Sequence, residues 1–276
     1  MTVSRAVLVT GCSSGIGRAT AERLAQGGWT VYASARRLES VEGLDRCRRL
    51  QLDVTDDASM RAAVDEIERE EGAVGVLVNN AGYSLSGAVE SVPLDEARRQ
   101  FETNVFGLAR LTQLVLPGMR EQRWGRIVNV SSMGGRLTFP GGGWYHASKH
   151  AVEALSDALR FELQGFGIDV VVLQPGLIKT GFAEAAVGSI PVGEEPYGHF
   201  NAAVGAATAG AYEGGLAKRL GGGPDAVAKA VERAVSSRRP RTRYRVTPSA
   251  SLFLTLRRLL PDRGWDALVG RTYPNP

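Results

Sequence analysis

Cysteine is nearly absent from the 276 residues, with Cys12 and Cys47 the only two. Two thiols make no disulfide framework in a chain of this length, so a reducing, cytoplasmic setting is expected. No apolar run reaches the roughly 18 residues of a membrane span. No signal or transit segment fits before the strand-like run in MTVSRAVLVTG. Histidine is scarce too: His146, His150 and His199 show no HExxH or Cys/His zinc spacing, and no metal site is expected. Neither charge is in large excess, with 33 basic residues against 29 acidic. What remains is ordinary for a globular protein, 43% apolar and 22% charged, and long enough to bury a large core without staples.

The small net charge is unevenly spread. From Ser236 to Pro276 there are nine arginines against Asp262 and Asp266, which makes that tail +7 and the rest −3. Arg243 and Arg245 alternate with Tyr244 and Val246 over 242–246, as in a half-exposed edge strand. Leu252, Phe253, Leu256, Leu259 and Leu260 form a helical apolar stripe, a pattern of core, subunit contact or pocket lid before membrane anchor. With neither stacking platforms nor long basic runs, nucleic acid is not an expected partner.

Short β-branched or Leu-rich runs lie at 6–10, 31–34, 50–54, 74–79, 127–131 and 170–174. Helical stretches at 15–26, 58–71, 94–120 and 145–165 separate them. Strands alternating with helices of this length imply βαβ units, hence an α/β, doubly wound parallel β-sheet with helices on both faces. One domain is expected over 1–276. Residues 5–180 would form its core, 181–223 an insertion, and 224–276 a helix, a strand and a basic extension. The insertion holds 11 Gly and 10 Ala in 43 positions and reads as a mobile cover over a site, with room for short helices.

TGCSSGIG at 10–17 follows the first strand and opens a helix. Glycines let backbone approach a pyrophosphate closely, and a helix N-terminus offers free N–H groups. The glycine spacing, Gly11, Gly15 and Gly17, is not that of the commonest dinucleotide fingerprint. The second strand ends in VYASARR, where an NAD-binding fold would place an acid for the ribose 2′-hydroxyl. Arg36 and Arg37 stand there instead, and a guanidinium suits a 2′-phosphate. NADP(H) is therefore preferred over NAD(H).

Tyr145 and Lys149 stand at i and i+4 in YHASK, on one helix face. A tyrosine with a pKa near 10 needs about 4 kcal/mol of electrostatic help to titrate near neutrality, and an ammonium supplies part of it. Taken with TGCSSGIG, the NNAG run Asn79–Gly82, Asn104, Ser131–Ser132 and Pro175–Gly176, this set resembles the short-chain dehydrogenase/reductase family in order and spacing over about 5–180.

The resemblance implies a Rossmann fold and residue roles. Tyr145 is then the general acid in ketone reduction and the base in alcohol oxidation. Lys149 lowers its pKa and holds the nicotinamide ribose. Ser132, thirteen residues before Tyr145, hydrogen-bonds the substrate oxygen, and Asn104 kinks its helix and holds a relay water. Gly11, Ser13, Ser14, Gly15, Ile16 and Gly17 cradle the pyrophosphate. Asn80, Ala81 and Gly82 line the adenosine side, and Asp53 and Val54 contact adenine. Pro175, Gly176, Ile178 and Thr180 lie toward the carboxamide.

The expected activity is an NADP(H)-dependent oxidoreductase interconverting a ketone and a secondary alcohol. Trp144, Phe139 and Phe182 suit a bulky hydrophobic or aromatic substrate. The family's subunit interface, on the helices at 94–120 and 145–165, implies a homodimer or homotetramer. A non-enzymatic NADP(H)-sensing or scaffold protein is the alternative, though such proteins commonly lose the Tyr or Lys. An epimerase or dehydratase would carry TGxxGxxG and a larger substrate domain.

Overall fold

Runs such as AVLV and VLVN are apolar at every position, and successive side chains of a strand point to opposite faces. Such strands settle only where both faces are covered. The computed structural model describes residues 3–191, 193, 196–213 and 219–273 and has that arrangement. In chain order the elements are β1 (Ala6–Val9), α1 (Gly15–Gln26), β2 (Thr30–Ala35), β3 (Arg48–Gln51), α2 (Asp57–Glu71) and β4 (Val76–Asn79). There follow α3 (Leu94–Phe101), a π turn (Glu102–Gly107), α4 (Leu108–Glu121), β5 (Gly125–Val130), α5 (Gly143–Glu162) and β6 (Ile168–Gln174). The last are α6 (Phe182–Gly188), α7 (Gly198–Glu213), α8 (Pro224–Ser236), β7 (Arg243–Arg245), α9 (Pro248–Leu259) and α10 (Asp262–Val269).

All seven strands are parallel, in the order β3-β2-β1-β4-β5-β6-β7. The order reverses between β1 and β4, and in such sheets the crevice beyond the strand carboxyl ends at that point is where ligands bind. Alternate residues feed two cores. Val7, Val9, Val76, Val78 and Val128 pack under α1 and α8. Ala6, Leu8, Tyr32, Leu77 and Ile127 pack under α2 and α4. A third cluster joins Met133 and Leu137 to Ala250 and Leu254 of α9 and Trp265 of α10. Among the described residues no helix is long and apolar enough to cross a membrane.

Four expectations shift. The third strand ends at Gln51, so Asp53 and Val54 lie in the turn before α2, where Asp53 Oδ1 accepts from Thr55 N and Oγ1. The helix expected over 94–120, with a kink at Asn104, is divided by a full π turn, where the Asn104 amide bonds the Tyr83 backbone. The segment 181–223 contains the 16-residue α7, in keeping with alanine's helix propensity, and not only short helices. Its Asn201 is buried, with Oδ1 accepting from Ala88 N at 2.9 Å. Arg243 does not simply face solvent: Nε reaches Glu153 at 2.9 Å and Nη2 reaches Asp157 at 2.6 Å.

A buried polar ladder ties the sheet to its helices. Asn79 Nδ2 donates to Asn129 Oδ1 at 2.9 Å and to Thr112 Oγ1 at 3.2 Å, and Asn129 Nδ2 donates to Ser156 Oγ at 2.9 Å. These groups are buried, so a deleted partner is poorly replaced by water. Asn129→Ala is expected to destabilise the fold by about 2 kcal/mol, read as a lower urea midpoint at unchanged slope. A midpoint equal to that of the wild type would show that the ladder is not holding these layers together.

Candidate active site

The phosphate turn is shaped by contacts that leave no room for side chains. Gly11 has φ +72°, and a Cβ there would lie 3.0 Å from the Ala81 Cα. At Gly17 a Cβ would lie 2.2 Å from the Gly11 carbonyl oxygen. The turn is sewn to the end of β4 by Thr10 and Asn80. Thr10 Oγ1 accepts from Asn80 N at 3.0 Å and Ala81 N at 2.9 Å, and Asn80 Nδ2 donates to Thr10 O at 2.8 Å. Ser14 ends the turn without a side-chain cap on α1, and the first turn of α1 carries no acid. Its free N–H groups and positive end therefore suit an anion. Cys12 is buried in this turn with Sγ 3.2 Å from Val9 O, and burial pushes its thiol up to about 12.

A cavity of about 1550 Å³ opens over the carboxyl ends of the strands. Gly11, Ser13, Ser14, Gly15, Ile16, Arg36, Asp53, Val54, Asn80, Ala81, Gly82, Pro175, Gly176, Ile178 and Thr180 line it, as do Ser132, Tyr145 and Lys149. Gly17, Arg37 and Asn104 are not on its wall. Gly17 lies beneath the turn and Arg37 points to solvent. Arg36 has no carboxylate partner among the described residues, and the nearby end of β2 is Ala35. The glycine cradle, the open helix terminus and this guanidinium together fit a phosphorylated dinucleotide.

The polar end of the cavity is built by β5 and α5. Ser132 follows β5 and its Oγ accepts from Gly134 N at 3.0 Å, which leaves its hydroxyl hydrogen for another acceptor. Ser131, beside it, is buried with a hydroxyl that has no partner among the described residues. Tyr145 is half-buried on α5, its ring 5.4 Å from that of Phe182. Lys149, one turn on, donates to Val130 O at 2.9 Å and its Nζ lies 5.9 Å from the centre of the Tyr145 ring. Burial pulls the Lys149 ammonium down to about 8, against the opposing pull of the Glu153 carboxylate.

Asn104 stands behind this face. Its Oδ1 accepts from Tyr83 N at 3.1 Å, and its Nδ2 donates to Tyr83 O and to Ser148 Oγ, each at 3.0 Å. Ser148 Oγ donates to Tyr145 O at 2.7 Å. Ser148 thus couples Asn104 to the helix turn that bears Tyr145, and nothing in the sequence pattern singled it out. His146 is buried, with Nδ1 3.1 Å from Gly134 O, so it braces the turn after Ser132. Burial pulls its imidazole down to about 4, so it is neutral at pH 7.

The apolar end comes from far along the chain. Phe139 and Phe182 line it as expected, joined by Leu252, Phe253 and Leu256 of α9 and Trp265 of α10. Trp265 Nε1 donates to Thr138 O at 3.1 Å, which fixes α10 against the loop carrying Phe139. The apolar stripe on α9 was legible as a helix face, but α10 was not anticipated. Trp144, expected at the substrate, turns away: its indole packs edge-on against Phe101 and reaches toward Val89 O at 3.4 Å.

A family profile described as short chain dehydrogenase matches residues 5–188. The chain is 43% identical over 178 residues to a 3-ketodihydrosphingosine reductase of Bacteroides thetaiotaomicron, a match covering 64% of this chain and 65% of that protein. It is 37% identical to an NADPH-dependent 3-dehydrocapnine reductase of Ornithobacterium rhinotracheale, covering 96% of this chain and 95% of the other. A crystal structure of a short-chain dehydrogenase from Streptomyces avermitilis superposes with a TM-score of 0.81 at 36% identity, covering 98% of each chain. With a profile spanning most of its length and relatives matched nearly end to end, the chain belongs to the short-chain dehydrogenase/reductase family of oxidoreductases.

Proposed function

We propose that the protein is an NADP(H)-dependent ketoreductase that interconverts a ketone and a secondary alcohol on a bulky hydrophobic substrate. The observation that carries this reading is the single cavity that holds the Ser132, Tyr145 and Lys149 side chains, the open N-terminus of α1 and the unpaired Arg36. Gly11–Ile16 would hold the pyrophosphate, Arg36 the 2′-phosphate, Asp53 and Val54 the adenine, and Asn80–Gly82 the adenosine side. Pro175, Gly176, Ile178 and Thr180 would lie along the nicotinamide. When bound, the nicotinamide supplies or accepts the hydride.

In reduction, the hydroxyls of Ser132 and Tyr145 donate to the substrate oxygen and stabilise charge developing on it. Tyr145 then gives up its proton to that oxygen. Lys149 favours the resulting phenolate by its charge. Asn104 and Ser148 act from behind, holding the backbone at Tyr145. In oxidation Tyr145 takes the proton back, as microscopic reversibility requires.

The aromatic and aliphatic wall of Phe139, Phe182, Leu252, Phe253, Leu256 and Trp265 supports an apolar substrate tail. The names of two relatives as 3-keto and 3-dehydro reductases, one of them NADPH-dependent, support the direction and the cofactor. Leu94, Phe106, Leu155 and Phe161 are exposed on α3, the π turn and α5, which supports self-association through that face.

NADPH oxidation against a panel of aliphatic, aromatic and steroid ketones tests the reaction. Tyr145→Phe is expected to abolish turnover while binding NADPH as the wild type does; a near-normal rate would overturn the role of Tyr145. Arg36→Ala is expected to weaken NADPH by about tenfold or more and leave NADH unchanged, since a charge-assisted contact contributes about 1.5–3 kcal/mol. Wild-type protein that binds NADH as tightly as NADPH would refute the cofactor reading. Reductive kcat/KM is expected to hold at neutral pH and fall as pH rises through about 8, where Lys149 loses its proton. A profile flat to pH 10 would exclude Lys149 as the titrating group.

A further inference from the structure

A second cleft, of about 1200 Å³, lies on the other side of α9 from the catalytic cavity. Leu252, Phe253 and Leu256 face the cavity, whereas Ser251, Leu254, Arg257 and Arg258 face this cleft. Its other walls are the edge strand β7, the face of α8 that bears Ala226, Ala230 and Arg233, and the turn at Arg136. Seven arginines line it: Arg136, Arg233, Arg241, Arg243, Arg245, Arg257 and Arg258. No aspartate or glutamate is among the lining residues.

The seven are not equivalent. Arg243 is turned inward onto Glu153 and Asp157, and Arg257 is paired with Asp262 at 2.6 Å. The remaining five have no carboxylate partner among the described residues. An ordinary charged surface mixes signs, and this chain does so elsewhere, as in the pairs of Arg23 with Glu232 and Asp225. Five unpaired guanidinium groups around one concavity repel each other, and the low-dielectric walls focus their field. The arrangement is relieved by an anion that bonds several of them at once. Guanidinium forks match phosphate oxygens in pairs. The hydroxyls of Ser236, Ser237 and Ser251 and the ring of Tyr244 complete a wall with further donors and one aromatic face.

We propose that this cleft binds a phosphorylated ligand carrying more than one anionic oxygen, at a site separate from the one that holds the cofactor. A cleft of this size exceeds a lone inorganic ion, and the absence of acids from its lining distinguishes it from a solvated basic face. The phosphate can be borne by a free metabolite or by a lipid head group, since both present the same oxygens to the arginines.

The test uses the full chain saturated with NADPH, so that Arg36 and the phosphate turn are occupied. Tripolyphosphate is titrated calorimetrically, and sedimentation is followed with vesicles of phosphatidylglycerol or of phosphatidylcholine alone. The comparison is the double variant Arg245→Gln, Arg258→Gln; both positions are exposed, unpaired and outside the catalytic cavity. The wild type is expected to bind one of the anionic probes, and the variant to bind it about tenfold or more weakly with NADPH affinity unchanged. Tripolyphosphate binding without vesicle binding indicates a free phosphorylated ligand; the reverse indicates a lipid head group. If the double variant no longer holds NADPH, the exposed Arg241→Gln replaces it. Equal affinity in wild type and variant, or binding of neither probe, overturns the proposal.

Discussion

Two backbone N–H groups at the end of β4 donate to one hydroxyl at the end of β1, and the neighbouring amide of Asn80 returns two hydrogen bonds to the Thr10 and Gly11 carbonyls. This seam crosses the point where strand order reverses, the place in a doubly wound sheet where two crossover helices leave in opposite directions and a crevice must open. The glycines of the turn can stay bare because the seam, not side-chain packing, sets their path. The open end of α1 is aimed by it, and the walls supplied by β5 and α5 face the same space. The rest of the cavity is arranged around a junction whose groups are paired before any ligand arrives.

What could be read from the sequence was what depends on local chemistry repeated along the chain. Short runs apolar at every residue specify strands covered on both faces, and the helical stretch read at 15–26 is α1. The departures have tertiary causes. The resemblance implied a kink at Asn104, but nothing local says that it takes the form of a π turn, where Asn104 reaches the Tyr83 backbone across the chain. The sequence placed Asp53 and Val54 in a strand, but the last bond to β2 is made by Leu52 N to Ala35 O, and Asp53 then turns to hold Thr55.

The candidate site was legible to the same degree. Tyr145 and Lys149 were legible as an i, i+4 pair on α5, and Ser132, just after β5, came from the family resemblance. Ser148 and His146 act by holding backbone, a role that many serines and histidines fill without consequence for a reaction. Trp144 illustrates the limit: adjacency to Tyr145 in sequence gives a different direction on a helix, and its indole packs on Phe101.

Much of the wall at the apolar end of the cavity belongs to α9 and α10, more than two hundred residues after the phosphate turn in the chain. The crevice at the strand ends and much of the apolar wall are thus written in separate stretches of the gene. A ribosome delivering this chain completes the dinucleotide crevice first and the hydrophobic wall last. Changes in the last helices can redraw the apolar end of the cavity while its polar end, built from β5 and α5, stays untouched.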